Sequence, residues 1–175
     1  FCREAIVEKY RLDKVKHIVA GGASRQKSVR NGLSVLGSTT DIVIVHDGAR
    51  PFVTCEQIRE SILASSEYGA AIVAVPVKDT IKVLDSRGFV SYTPGRDKLI
   101  SVQTPQAFRH DLIIRAHEQA EKDGITVTDD AVLVERLGHK VGIVGGSYDN
   151  IKITTPEDLI IAEKILEARG KGNHI

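Results

Sequence analysis

The chain has 175 residues, 42% hydrophobic and 27% charged, with a formal net charge of +1. Such a length suits one globular domain that buries roughly 70% of the surface its unfolded chain exposes. A charge this near zero, with no long run of one sign, gives no electrostatic case for nucleic acid or an anionic membrane. No apolar stretch approaches the ~20 residues of a membrane span, and nothing resembles a signal peptide. Cys2 and Cys55 form neither a disulfide framework nor a metal pattern, and read as free thiols of a reducing cytoplasm. There is no methionine and the chain opens on Phe1, so we expect a fragment or a processed chain.

The opening residues look helical, and after them strand-like and helix-like segments alternate. Val15 to Ala20 is a short apolar-rich, strand-like run closed by Gly21-Gly22. Ser24 is placed to cap a helix reaching Leu36, with Val29, Leu33 and Leu36 at helical spacing. Ile42 to His46 is apolar on both faces, as expected of a strand buried in a parallel sheet. Thr54-Cys55-Glu56-Gln57 has capping-box form and opens a helix that Gly69 stops. Ala70 to Val77 is a second doubly buried strand, ended near Pro76. This β-α-β-α-β rhythm predicts a three-layer α/β domain: a mostly parallel, twisted sheet of Rossmann-like form, helices on both faces, ligands at the carboxyl ends of strands.

After Pro76 the rhythm breaks. Thr80 to Leu84 and Gly88 to Tyr92 read as two short strands joined by a Ser-Arg-Gly turn, followed by the exposed-looking Thr93 to Asp97. Strand after strand with no helix between predicts a hairpin arm projecting from the sheet at about 79–103. Helix returns over Arg109 to Lys122, with Leu112, Ile113, Ala116 and Ala120 on one side and Gly124 at its end. Thr128 is placed to cap another helix, stopped by Gly138; Val141 to Val144 and Asn150 to Thr154 read as short strands. Thr155-Pro156-Glu157-Asp158 is a strong helix start. With no repeat, low-complexity segment or linker, 1–175 reads as one domain.

The stretch Val45-His46-Asp47-Gly48-Ala49-Arg50 raises the first chemical question. Asp47 follows a strand where α/β folds present ligand groups, and its carboxylate can accept from a sugar hydroxyl or hold a Mg²⁺ that bridges phosphates. Asp-Gly is also common turn chemistry. Arg50 offers a planar donor fork suited to phosphate, or covers the sheet edge. Gly21-Gly22 before the Ser24 helix is an anion-binding helix start, without the spacing of a P-loop or a dinucleotide fingerprint. Ser28 lies one turn inside that helix, within reach of a nucleotide or merely exposed. Thr80 leaves the Ala70–Val77 strand on the same sheet edge as Asp47, to bond a phosphate or cap a turn. Lys152 is a point-charge clamp if a phosphate is near, and a solvated lysine otherwise. The six histidines form no metal set, and His46 reads as a hydrogen-bonded structural histidine rather than a base. From the residues alone the chain is a phosphate-handling α/β protein.

Five ordered stretches go further: VHDGARPF, VPVKDTIK, VQTPQAFR, TDDA and DNIKITTPEDL. Together they resemble the 2-C-methyl-D-erythritol 4-phosphate cytidylyltransferase family of the non-mevalonate isoprenoid route, from about Val15 onward. The resemblance implies metal-dependent transfer: an acceptor phosphate oxygen attacks the α-phosphorus of CTP in line, pyrophosphate leaves, and a CDP-alcohol forms. Asp47, Arg50, Thr80, Arg96, Thr104 and Lys152 match positions around the methylerythritol phosphate, with Arg96 and Lys152 holding its phosphate for attack. Gly22, Ser28 and Gly48 fall on the nucleotide side, Mg²⁺ is the implied cofactor, and Asp47 is the residue to hold it. The arm implies a homodimer in which Thr80 and Arg96 enter the partner's site. A cytoplasmic location follows, or a plastid in a plant or alga.

Two departures stand out. Ala23 replaces the acid usual after the double glycine, and the family's first strand and glycine-rich triphosphate loop have no counterpart. We therefore expect a gap in the core, roughly a further third of a domain upstream, and no turnover by this chain alone. A sister enzyme using ribitol 5-phosphate and a non-catalytic dimerisation or binding module are the competing readings.

Overall fold

A strand without polar side chains on either face needs cover on both, and the run from Ala70 to Pro76 is such a strand. A computed structural model describes residues 1–172. In chain order these form a wide helical turn of π type (Cys2–Glu8), α1 (Arg25–Leu33), β1 (Ile42–Val45), α2 (Cys55–Tyr68) and β2 (Ala70–Pro76). There follow β3 (Val83–Leu84), β4 (Val90–Tyr92), a 3-10 turn (Arg96–Lys98), β5 (Ile100–Arg109), α3 (His110–Lys122), α4 (Ala131–Arg136), β6 (Gly142–Gly145) and α5 (Pro156–Gly172).

The main sheet has the order β1-β5-β2-β6. β2 and β6 are parallel, and β5 runs antiparallel to both β1 and β2. Three of the four strands therefore share one direction, with the reversed β5 between them. Alternate residues of β2 feed two separate cores. Ala70 and Ile72 join Phe108, Leu112, Ile113, Ala116, Leu133 and Val134 from β5, α3 and α4. Ala71 and Val73 join Val144, with Ala64 of α2 packed against them. The expected three-layer α/β arrangement follows from this alternation.

Helix α2 starts and stops where its sequence signals say. Thr54 Oγ1 accepts from the Gln57 N–H, the Gln57 side chain accepts from the Thr54 N–H, and Gly69 closes the helix at φ 89°. Ser24 caps α1 by accepting from the Lys27 N–H. The arm is present as the separate two-stranded β3–β4 hairpin, whose turn is closed by Asp85 accepting from the N–H groups of Arg87 and Phe89. Its strands are shorter than expected, and Leu84, Phe89, Val90 and Tyr92 all lie exposed.

Several expectations need correction. Val15 to Ala20 forms no strand, and its apolar side chains are exposed. Strand β1 pairs with β5 alone among the described residues and buries only Val43, so it is an edge strand rather than a doubly buried one. Along its free side an apolar groove of about 300 Å³ is lined by Val29, Leu33 and Leu36 with Val43 to His46. Helix α1 ends at Leu33. Asp129 rather than Thr128 caps α4, accepting from the Val132 N–H. Residues 150–154 form no strand, because they cross the end of the sheet instead of pairing along it.

Strand β5 is the largest element not foreseen. Proline within a run argues against a central strand, since it cannot donate to the ladder. Here Pro105 lies where the β2–β5 register shifts, between the Ile72↔Gln106 and Ala74↔Val102 pairs, so no ladder bond is asked of it.

The core on the α3 face generates a stability prediction. Ile113 is 0% exposed whereas Ile143 is 63% exposed. Ile113→Ala should lower the unfolding free energy by about 2–5 kcal/mol, and Ile143→Ala should stay within about 0.5 kcal/mol of the parent. Urea transitions with unchanged slope provide the check.

Candidate functional site

Because β1, β2 and β6 share a direction, their carboxyl ends form one rim, and the reversed β5 enters the sheet there. Val45 pairs with Gln106, which sets Thr104 of β5 just beyond the end of β1. The chain leaves β1 through His46 and Asp47 and turns, with the Arg50 N–H donating to the Asp47 carbonyl at 3.0 Å. Thr104 Oγ1 accepts from the Asp47 N–H at 3.0 Å and also contacts His46 Nδ1 at 3.0 Å, while His46 Nε2 meets the Arg50 carbonyl at 3.0 Å.

The segment after β6 closes this corner. Gly146 donates to the Ala74 carbonyl and approaches so closely that a Cβ on it would stand 2.9 Å from that carbonyl oxygen, a backbone atom that cannot swing aside, so glycine is required. Asn150, fully buried, donates through Nδ2 to the Thr104 carbonyl and to Gln103 Oε1. Its own carbonyl accepts from Arg50 Nη1 at 2.7 Å. Two residues on, Lys152 Nζ stands 3.1 Å from Asp47 Oδ2, and Ile153 N–H donates to the Ala49 carbonyl. Arg50 Nε lies 3.5 Å from the same Asp47 oxygen.

Asp47, Arg50, Thr104 and Lys152 are thus brought together, as the sequence reading required. Burial raises the Asp47 pKa, but the hydrogen bond and charge of Lys152 and the charges of Arg50 and Arg25 outweigh it, and the carboxyl titrates below its ordinary value. Arg50 Nε is buried and has no hydrogen-bond partner, because its ion pair with Asp47 is not directed as one. An unsatisfied buried donor is costly.

A second group lies at the start of α1. The Gly22 N–H donates to Ser28 Oγ at 3.0 Å, and Ser28 donates to the Ser24 carbonyl at 2.9 Å. A Cβ on Gly22 would sit 2.4 Å from Lys27 Cγ, so this turn needs glycine whatever it binds. Arg25, which opens the helix, reaches Asp130 at 2.6 Å. Asp130 is completely buried, is met by His117 Nε2 at 3.0 Å, and donates its own N–H to Gln106 Oε1. The double-glycine turn is thereby anchored to β5, two residues from Thr104.

Thr80 and Arg96 are not part of either group in this single chain. Both are exposed, and Arg96 Nη1 donates to the Lys78 carbonyl at 2.8 Å at the base of the arm. Lys78 in turn stacks over Tyr148 at 3.4 Å from the ring centre. Gly48 is exposed, and a Cβ on it would meet nothing. Among the described residues no three His, Cys, Asp or Glu side chains gather as a metal cluster. Sequence reasoning missed Asn150, Gln106, Arg25, Asp130 and His117. Gln106, Asp130 and Asn150 gave no signal beyond polar identity inside the VQTPQAFR, TDDA and DNIK stretches, and Arg25 and His117 lie outside all of them.

Known proteins share this chain's sequence and architecture. The sequence model of the 2-C-methyl-D-erythritol 4-phosphate cytidylyltransferase family matches residues 3–168. A protein of that name from Alkaliphilus oremlandii is 52% identical over 172 residues, 98% of this chain and 73% of its own length. Another, from Caldanaerobacter subterraneus subsp. tengcongensis, is 54% identical over 166 residues, 95% of this chain and 73% of its own length. The crystal structure of 4-diphosphocytidyl-2C-methyl-D-erythritol synthase from Anaerococcus prevotii superposes with TM-score 0.84 at 38% identity, covering 92% of this chain and 76% of that one. The 2-C-methyl-D-erythritol 4-phosphate cytidylyltransferase from Thermus thermophilus gives TM-score 0.75 at 37% identity, over 84% and 71% of the two chains.

The charge balance at Asp47 makes a titration prediction. A depressed folded-state pKa stabilises the protein above the unfolded value and loses that contribution as pH falls through the folded one. A carboxyl-carbon NMR titration should place Asp47 below the ordinary 3.8. Lys152→Ala should move its midpoint upward, and acid unfolding of that variant should begin at higher pH.

Proposed function

The chain belongs to the 2-C-methyl-D-erythritol 4-phosphate cytidylyltransferase family, and from that premise we propose how its rim serves cytidylyl transfer. In the reaction an oxygen of the acceptor phosphate forms a bond to the α-phosphorus of CTP. The bond from that phosphorus to the bridging oxygen of pyrophosphate breaks, giving CDP-methylerythritol. Such chemistry depends on holding nucleophile and phosphorus in line and on offsetting the charge that gathers between them. The observation that carries the assignment is the convergence of Arg50, Lys152 and Thr104 on Asp47 at the sheet rim.

Lys152 supplies a point charge and Arg50 a planar fork; both suit a phosphate ester. Asp47 keeps these cations in place before the substrate arrives and accepts from a hydroxyl of the acceptor. Gly22 and Ser28 hold the cytidine side, with Gly48 leaving the nucleotide room beside Asp47. Thr80 and Arg96 serve the site of a second subunit, reached across the arm, and Arg96 shares the acceptor phosphate with Lys152. A homodimer built on the exposed apolar side chains of the arm accounts for their solvent exposure in one chain.

The residues fit a divalent cation in one limited way. Both ion pairs of Asp47 engage Oδ2, which leaves Oδ1 as the single carboxylate oxygen for a metal. Mg²⁺ characteristically takes one or two carboxylates together with substrate phosphates. When bound, Mg²⁺ offsets triphosphate charge, and Asp47 is the residue that would meet it. No helix among the described residues is long and apolar enough to cross a membrane, and both cysteines are free thiols. A cytoplasmic location, or a plastid in a plant or alga, belongs to the same reading.

Binding of the acceptor tests the assignment. No glycine-rich basic loop for the triphosphate occurs among the described residues, so pyrophosphate release from CTP by these residues alone should stay at background. Calorimetry should nevertheless register 2-C-methyl-D-erythritol 4-phosphate in preference to ribitol 5-phosphate; the reverse preference would assign the ribitol enzyme instead. Arg96→Ala should weaken acceptor binding more than ~10-fold, because a charge-assisted hydrogen bond contributes about 1.5–3 kcal/mol; unchanged affinity would leave Arg96 a turn residue.

The dimer has its own test. Phe89, 67% exposed on the arm, should lie in the contact between subunits. Phe89→Asp should convert a dimer sedimenting at micromolar concentration into monomer. A chain that sediments as a monomer without the substitution would exclude the shared site.

A further inference from the structure

His46 stands where the apolar groove meets the rim, and its ring is held at both nitrogens. Nε2 lies 3.0 Å from the backbone carbonyl of Arg50, and Nδ1 lies 3.0 Å from Thr104 Oγ1. A carbonyl oxygen only accepts, so the proton sits on Nε2. In the neutral ring Nδ1 is then an acceptor, and the Thr104 hydroxyl must spend its only proton on it. That hydroxyl already accepts from the Asp47 N–H at 3.0 Å. Thr104 is left with one uncommitted lone pair and nothing to donate.

We propose that His46 is a positioning residue: by holding the Nε2–H tautomer it fixes the Thr104 hydroxyl as an acceptor of hydrogen bonds. On the reading that Thr104 borders the acceptor site, this corner takes a polyol hydroxyl of the substrate. It turns away a phosphate oxygen, which brings only lone pairs. The phosphate is thereby directed to the cations, and the acceptor can enter in one orientation only. The ring also clamps the Asp47–Arg50 turn through the Arg50 carbonyl, so one side chain sets both the turn and the polarity of its neighbour.

The tautomer is measurable in the unmodified chain, without ligand, from long-range proton–nitrogen correlations of the imidazole. We expect Nε2–H with Nδ1 unprotonated; the opposite tautomer overturns the inference. Calorimetry with 2-C-methyl-D-erythritol 4-phosphate supplies the second arm. His46→Asn, whose Oδ1 can take the Thr104 proton as Nδ1 does, should bind within ~3-fold of the parent. His46→Leu should bind at least ~10-fold more weakly, equivalent to ~1.4 kcal/mol, with its thermal midpoint confirming the fold. Equal affinity in the leucine variant, or equal loss in both variants, defeats the proposal. If the parent chain itself fails to bind the acceptor, the functional reading falls and takes this inference with it. If the parent binds and the leucine variant binds equally, this inference alone falls.

Discussion

Two cations cannot be gathered into a small pocket without a counter-charge between them, and Asp47 is that counter-charge. Arg50 and Lys152 come from positions a hundred residues apart, yet both address one oxygen of its carboxylate. Without Asp47 their mutual repulsion would favour conformations that splay them into solvent. With it they stand ready for an anion and cost less to organise when one arrives. The depressed pKa of Asp47 expresses the same balance: the positive charges around it overcome the burial that would otherwise favour the neutral acid. The pair energies themselves are modest, because these side chains remain partly in water. Their value lies in geometry.

That geometry rests on backbone more than on side chains. Lys152 reaches Asp47 because the segment after β6 crosses the rim, fastened by Gly146 to β2, by Asn150 to β5 and by Ile153 to the Asp47–Arg50 turn. Asn150 links three of these pieces at once while being wholly buried, which makes it the keystone of this corner of the rim. Its Oδ1 has no partner among the described residues. A buried amide kept at that cost points to a position chosen for placement of neighbours rather than for stability alone.

Local signals in the sequence carried the helices well. The Thr54 capping box, the Ser24 cap and the glycine stops act over three or four residues, so they are legible without the fold. Strand β2 was legible because complete burial leaves an unbroken apolar run. The failures share a cause: pairing partners lie far away in the chain. Val15 to Ala20 looks like a strand, but no described strand pairs with it. β5 does not look like one, since Pro105 and the polar Gln103, Thr104 and Gln106 interrupt it; yet tertiary pairing on both sides makes it central. At the site, strand ends named Asp47, Arg50 and Thr80, and family likeness supplied Thr104, Arg96 and Gly48 and gave Lys152 its role. The network of Arg25 with the buried His117, Asp130 and Gln106 has no periodicity to betray it, because its members come from four separate stretches of the chain.

This network completes the logic of the rim. Arg25 opens the helix after the double-glycine turn, and its partner Asp130 is tied by its own N–H to Gln106. Gln106 and Thr104 are two residues apart on β5, and Thr104 holds the Asp47 turn. The double-glycine turn and the Asp47 turn are thus both referred to one strand buried in the middle of the sheet. In-line transfer is sensitive to small displacements of nucleophile against phosphorus. Loops that moved independently would not keep that alignment, whereas two loops anchored to the same strand move together or not at all. The reversal of β5 is what makes this possible: a strand parallel to its neighbours would bring its amino end to the opposite rim. The irregular polar stretch that hid β5 in the sequence is therefore the same feature that joins the halves of the site.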